Sequence, residues 1–303
     1  MAYIIHGATG AQGAPLYNLL LKSGKSVLGA VRDVSNLKGQ PAIKVDLGSV
    51  NSLVAAYRDA DGVFIHIPLG AEAGRVQYAR NIVEAIRQGR PKRVVITTSG
   101  AVIDQPDTPL QTPEDSAIAI LIRGVEESGV SHAIMATRLY LENLLLPPVF
   151  KPIKLEDALR YPLAGNFAAS WCSHLDVADV AARLLTDTAI SGIVGVGQLP
   201  GLTGPQLADG FASALGHDVS YETIKPQEFG ALISPILGAA AASGVVKFYD
   251  TLAKVPEDVI AEKTSAQRLL NIQPRTVAAW LAEKFGGSKA SPSAAEVHPL
   301  VHL

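Results

Sequence analysis

The chain has 303 residues, 48% hydrophobic and 18% charged, enough to bury one large core or two unequal lobes. A formal net charge of −2, with no long Lys/Arg block, excludes the phosphate-tracking footprint of a nucleic-acid binder. The single cysteine, Cys172, excludes an internal disulfide and fits a reducing compartment, so a cytoplasmic location without export is expected.

The first apolar run, residues 2–5, leads into Gly7-Ala8-Thr9-Gly10-Ala11-Gln12-Gly13 and then a helical pattern over 11–22. Strand, glycine turn and helix in that order make a dinucleotide cradle. Gly7 permits the tight turn, Gly10 lets a pyrophosphate approach the backbone, and Gly13 lets the helix lie close to the strand. Further strand-like runs occupy 26–32, 42–45, 62–67, 93–97 and 131–138. Helical patterns lie over 49–58, 73–88 and 113–128, with Ser49 as an N-cap and Gly24, Gly89 and Gly129 as stops. Apolar strands joined by helical crossovers predict an α/β fold, a Rossmann-type doubly wound parallel sheet.

Beyond Arg138 the periodicity loosens. Pro147, Pro148, Pro152 and Pro162 divide 144–170 into expected turns and short pieces. A helix over 175–188, a strand over 192–198, a helix over 204–215 and a strand over 219–225 follow, then helical pattern to Phe285. The apolar tract from Ile233 to Val246 is broken by Pro235, Gly238 and Gly244, so it reads as a packed helix pair rather than a membrane span. The expected division is a dinucleotide-binding domain over 1–150, a smaller α/β substrate lobe over 151–286 that returns some elements to the core, and a mobile tail over 287–303.

The second strand ends in Arg32-Asp33. An arginine there clamps a 2′-phosphate and selects NADP(H), whereas an acidic residue accepts from the ribose 2′-OH of NAD(H). Successive residues leaving a strand point oppositely, so one of the two faces the ribose. NADP(H) is favoured, NAD(H) stays possible, and a solvated Arg-Asp pair is the plain alternative. Asp46-Leu47 ends the third strand, where the carboxylate accepts from an adenine amino group and the leucine covers the ring; Asp46 also suits the turn before Ser49. His66 reads as a satisfied strand-end histidine.

The glycine turn, Val31-Arg32-Asp33, Thr97-Thr98-Ser99-Gly100, the run from Arg138 to Leu144 and the run from Trp171 to Ala181 occur in order. Together they resemble the NmrA-like branch of the atypical short-chain dehydrogenase/reductases, over roughly residues 1–285. The resemblance implies a Rossmann core with a small substrate lobe and a nicotinamide dinucleotide across the strand ends. By position it implies Gly7, Thr9, Gly10, Gln12 and Gly13 at the pyrophosphate and Arg32 at the 2′-phosphate. Asp46 and Leu47 fall at the adenine. Ile67, Pro68, Thr98, Ser99, Tyr140, Glu142 and Asn143 fall at the nicotinamide end.

Typical members of the superfamily carry Tyr-x-x-x-Lys on the helix after the fifth strand; here 113–128 contains neither residue. The copy at Tyr221 and Lys225 lies in a strand-like run, where four residues span roughly 13 Å, so its side chains do not meet. A conjugated acceptor spreads the developing oxyanion and needs a protein proton donor less than a simple ketone does. That points to an oxidoreductase acting on a small aromatic, quinone-like or conjugated carbonyl substrate. Ser99, Tyr140 and His174 are the polar groups expected near it, against turn-capping, core-aromatic and helix-capping roles. Trp171, Phe167 and Tyr161 suit a flat ligand's pocket wall or the lobe's own core. The scattered histidines predict no metal site, and Gly-x-Ser-x-Gly is absent. Two other readings stay open: an NADP-sensing regulator without turnover, and a biosynthetic tailoring enzyme whose net reaction is not simple reduction. Oligomeric state is not legible.

Overall fold

Seven short strands, mostly buried, form the centre of the computed structural model, which describes residues 1–286. β1 (Tyr3–His6) leads through the glycine turn to α1 (Gly13–Lys22). Then come β2 (Val27–Val31), β3 (Ala42–Lys44), α2 (Val50–Tyr57), β4 (Gly62–Ile65) and α3 (Glu72–Gly89). β5 (Val94–Thr97), α4 (Ala117–Glu127) and β6 (His132–Thr137) complete the regular alternation. β7 (Leu139–Tyr140), α5 (Pro147–Leu155), β8 (Ala158–Tyr161), β9 (Ala168–Ala169) and β10 (Trp171–Cys172) follow, then α6 (His174–Thr186) and β11 (Gly192–Val196). The chain continues through α7 (Gly204–Leu215), β12 (Ser220–Thr223), α8 (Pro226–Leu237), α9 (Ala239–Leu252), β13 (Glu257–Asp258), α10 (Ala266–Leu270) and α11 (Val277–Lys284).

The central sheet has the order β11-β6-β5-β4-β1-β2-β3, every neighbouring pair parallel. This is the expected Rossmann-type sheet. Strand order reverses between β1 and β4, which opens a crevice beyond their carboxyl ends. Leu16, Tyr17 and Leu20 of α1 pack with Val177, Val180 and Leu184 of α6 against one face. Leu53, Tyr57, Ile82, Ile86 and Leu121 of α2, α3 and α4 cover the other. A third core, with Phe150, Tyr161, Trp171, Phe211, Phe229, Tyr249 and Trp280, lies among the later elements.

Local chemistry sets the element ends. Ser49 caps α2 by accepting from the Ser52 N–H, and Ser116 caps α4 by accepting from Ala119, so α4 begins later than the expected 113. Where prolines suggested only turns, the structure has α5: Pro147 and Pro148 occupy its first turn, where no N–H is required, and Pro152 is carried inside it. β8 follows and pairs in parallel with β12. The apolar tract from Ile233 is a helix pair, α8 and α9, turning at Gly238 with φ +83°. Among the described residues no helix is long and apolar enough to cross a membrane. The tail over 287–303 lies outside the described residues.

One buried cation fastens α6 to the sheet. Arg93, fully buried, donates from Nε to the Leu184 carbonyl at 2.9 Å, from Nη1 to Ser131 Oγ at 2.8 Å, and from Nη2 to the Ile190 carbonyl. It thereby satisfies a carbonyl of α6's last turn and one in the loop that follows.

Candidate functional site

The glycine turn is built as a cradle. Gly7 sits at φ +62°, and a Cβ there would lie 2.0 Å from His66 Nε2. The Gly10 N–H donates to the Gly7 carbonyl at 2.7 Å. A Cβ on Gly13 would lie 2.2 Å from the Gly7 oxygen and 2.5 Å from that of His6, so only glycine lets α1 start this close to β1. No side chain caps the N-terminus of α1. Its N–H groups and partial positive charge are therefore directed at whatever lies over Gly10.

On one side of this turn is a groove of about 350 Å³, lined by His6, Gly7, Thr9, Arg32, Asn36, Asp46, Leu47, His66, Pro68, Leu69 and Tyr78. The Arg32-Asp33 alternatives separate here. Asp33 caps the turn over Val34–Leu37, its Oδ1 accepting from the Ser35 N–H at 3.0 Å and the Ser35 hydroxyl at 2.8 Å. Those two bonds, the hydroxyl's foremost, hold its carboxyl below the usual range. Asp33 is thus committed to its own turn, while Arg32 lines the groove with Asn36. Asp46 also serves its turn, accepting from the Gly48 N–H at 2.8 Å, yet it remains exposed on the groove rim with Leu47. Asn36, Leu69 and Tyr78 were missed from sequence; the exposed leucine directly after Ile67-Pro68 was the available signal.

On the other side, a cavity of about 510 Å³ opens among Thr9, Gly10, Ala14, Asn18, Glu142, Leu145, Leu146, His174, Leu175, Arg275 and Phe285. Thr9 lines both cavities. Glu142 and His174 meet at its inner end. Glu142 Oε1 accepts from the His174 N–H at 3.0 Å and from Trp280 Nε1 at 3.1 Å. Burial pushes the Glu142 carboxyl up to about 7. Arg275 ties the far wall together, its Nη1 lying 2.9 Å from Asp176 and 2.7 Å from Asp179, and its Nε 2.6 Å from Glu283.

The structure places the other expected positions as follows. Gln12 is buried; its side chain donates to Ser99 Oγ at 3.1 Å and accepts from Thr97 Oγ1 at 2.9 Å. Thr98 is buried and accepts from the Thr137 N–H. Ile67 joins the core beneath α2 and α3, and Pro68 lines the Arg32 groove. Asn143 is buried in the short 3₁₀ turn after β7. Tyr140 is 1% exposed, shares a 2.9 Å hydrogen bond with Thr137 Oγ1 and packs on the His174 ring at 4.9 Å. Ser99, at φ +53°, is anchored by Gln12. Trp171, Phe167 and Tyr161 belong to the third core and line neither cavity. Tyr221 lies in β12 and donates to the Leu163 carbonyl, so it does not pair with Lys225 as on a helix. Among the described residues no group of three His, Cys, Asp or Glu side chains is arranged to hold a metal ion.

Burial pushes two histidines flanking the turn, His6 and His174, down to about 3. Both stay neutral in the fold and protonate freely once unfolded. The histidines alone would lower stability as pH falls from 6.5 towards 3. Glu142, raised to about 7, and Asp258, raised to about 6, take up protons in the fold and offset them above about pH 4.5. The net loss should therefore come below that, by about 1 kcal/mol per histidine per pH unit. Urea midpoints measured across this window check it; a midpoint that does not move contradicts it.

The NmrA-like family model matches residues 3–281. The chain belongs to the NmrA-like family. No curated protein matches the sequence. Among solved structures, the Citrobacter sp. triphenylmethane reductase complexed with NADP(H) superposes with TM-score 0.74 at 18% identity, covering 92% of this chain and 98% of that one. An Escherichia coli NADPH-dependent quinone oxidoreductase complexed with NADPH gives 0.71 at 20% identity, covering 94% and 100%. A Staphylococcus aureus nucleoside-diphosphate-sugar epimerase gives 0.71 at 20%, covering 93% and 99%. These likenesses extend the family's fold over nearly the whole chain.

Proposed function

We propose that this NmrA-like protein is an NADP(H)-dependent oxidoreductase that transfers a hydride to a small aromatic, quinone-like or conjugated carbonyl substrate. The observation that carries the reading is the glycine cradle, with Arg32 free on its groove and Asp33 tied to Ser35. Gly7, Thr9, Gly10 and Gly13, with the open start of α1, would hold the pyrophosphate. Arg32 and Asn36 would hold the 2′-phosphate, and Leu47, Pro68 and Leu69 would cover the adenine. Since Thr9 borders both cavities, a dinucleotide crossing the turn has its adenosine half in the Arg32 groove and its other half towards the Glu142 cavity. A bound reduced nicotinamide supplies the hydride; the apolar walls Leu145, Leu146, Leu175 and Phe285 suit a flat acceptor. The solved relatives named for quinone and dye reduction support this substrate class. Residues 1–150 would thus serve mainly the dinucleotide and 151–286 the acceptor.

The test is anaerobic NADPH oxidation against a panel of quinones. Tight NADPH binding without turnover of any acceptor overturns the reading. Arg32→Ala should weaken NADPH on the order of tenfold to a hundredfold while leaving NADH nearly unchanged, since a charge-assisted phosphate contact is worth about 1.5–3 kcal/mol. Equal losses for the two cofactors would remove Arg32 from the 2′-phosphate.

A second reading, an NADP-sensing regulator without turnover, is favoured by α4's lack of Tyr and Lys and by the commitment of the Tyr140 hydroxyl to Thr137. A partner captured only in the presence or only in the absence of NADP, together with no turnover, would establish it.

A further inference from the structure

Reduction of a carbonyl-type acceptor requires a proton as well as a hydride, and the groups expected to supply it are committed elsewhere. The Tyr140 hydroxyl is bonded to Thr137 and buried, which drives its acidity far down. His174, held near 3, carries no extra proton at neutral pH. Ser99 Oγ takes the Gln12 amide. Glu142 differs from all three. Its side chain is 9% exposed and lines the cavity beside the glycine turn. Oε1 is satisfied by His174 and Trp280, whereas Oε2 is buried with no hydrogen-bond partner. A buried carboxyl oxygen left without a partner, on a residue that lines a cavity, is costly unless it is protonated or met by a ligand.

We propose that Glu142 is the proton donor of this chain, its Oε2 hydrogen-bonding the acceptor's oxygen in the cavity and occupying the role of the tyrosine that α4 lacks. The proposal rests on the oxidoreductase reading above. In the step, the Oε2–H bond of Glu142 breaks and its proton passes to the acceptor's carbonyl oxygen. The bonding pair stays on the carboxylate. The acceptor's carbon gains the hydride and is reduced, and the reduced nicotinamide that gave it is oxidised. Glu142 recovers its proton from water through the outer end of the cavity, bordered by exposed Lys22, Glu283 and Lys284.

The charged surroundings fit this role. Burial is the largest influence on Glu142 and raises it to about 7; the His174 N–H, Glu142's own backbone N–H, Lys284 and Trp280 oppose that without overcoming it. His174 faces it from α6 as a neutral ring, and Arg275 is neutralised by Asp176, Asp179 and Glu283. A buried carboxyl protonated near neutral pH is a competent general acid.

The experiment compares wild type with Glu142→Gln. In the cofactor-free protein, Trp280 emission should titrate near pH 7 and lose that transition in Glu142→Gln, because Trp280 Nε1 bonds this carboxyl. With a quinone and NADPH, wild-type kcat should decline as pH rises through about 7. Glu142→Gln should lower kcat on the order of a hundredfold to ten-thousandfold and flatten the profile, with NADPH Kd altered less than about threefold. Should the glutamine variant fail to fold by circular dichroism, Glu142→Asp and the wild-type profile carry the test; a wild-type kcat flat across neutral pH overturns the proposal. Normal wild-type turnover with an equally fast Glu142→Gln overturns this assignment alone. A wild type that binds NADPH yet reduces no acceptor overturns the oxidoreductase reading and this assignment together.

Discussion

Gly13→Ala should abolish detectable dinucleotide binding and lower stability by about 2–3 kcal/mol, because the new methyl would meet backbone that cannot rotate away. Its Cβ would lie 2.2 Å from the Gly7 oxygen and 2.5 Å from both the Gly7 carbonyl carbon and the His6 oxygen. Relief requires α1 to withdraw from β1, and that takes the helix start away from the anion. Gly10→Ala makes the informative contrast. Its Cβ would meet only the Gly7 oxygen, at 3.3 Å, so stability should change by less than about 0.5 kcal/mol. The methyl would stand where a pyrophosphate must approach, so affinity for NADPH should still collapse. Urea denaturation and fluorescence titration with NADPH separate the two effects. A Gly13→Ala protein with wild-type midpoint and affinity would contradict the cradle.

Arg138→Ala should cost about 3–5 kcal/mol, the usual result of leaving buried acids without their counter-ion. Arg138 is fully buried at the end of β6. Its Nη2 lies 2.5 Å from Asp104 Oδ1 in the loop after β5, and its Nε 2.8 Å from Asp258 Oδ1 in β13. Asp258 is itself 1% exposed and shares its Oδ1 with Gln105. Burial, the largest influence, pushes the Asp258 carboxyl up to about 6 against the pull of Arg138. Once the guanidinium is gone, Asp258 has no cation beside it. Adding Asp258→Asn to Arg138→Ala should therefore recover a substantial part of the loss. Chemical denaturation of the single and double variants measures this; an additive double variant would mean that Arg138 acts through packing alone.

How much of this was legible in the sequence differs between the two sides of the glycine turn. The sheet and its crossovers were readable because strands buried on both faces appear as unbroken apolar runs, such as Gly62–Ile65. The Arg32 groove was largely readable too, since the ends of the first four strands and the turns after them build most of it. Even there, the choice between Arg32 and Asp33 needed the Ser35 contacts, which sequence alone does not reveal. The opposite side was poorly legible. Its walls come from α1, α6 and α11, brought together by packing across more than half the chain. Asn143 and Tyr140, one and two residues from Glu142 in sequence, are buried in the interior while Glu142 lines the cavity. Residue type likewise could not say that Trp171, Phe167 and Tyr161 fill a core rather than face a ligand. Helix α5 was hidden because three prolines suggest breakage, although two stand where a helix tolerates them.

Thr9 is the shared wall between two compartments built from different stretches of polypeptide. The Arg32 groove draws its lining from residues before 79, while the neighbouring chamber takes most of its own from residues after 141. On the proposed reading, coenzyme choice and acceptor choice would therefore be inscribed mainly on different segments, α1 excepted. On that reading, substitutions around Leu146, Leu175 or Phe285 would retune acceptor preference without disturbing the nucleotide grip, which makes the chain beyond residue 141 a natural place to graft a new one.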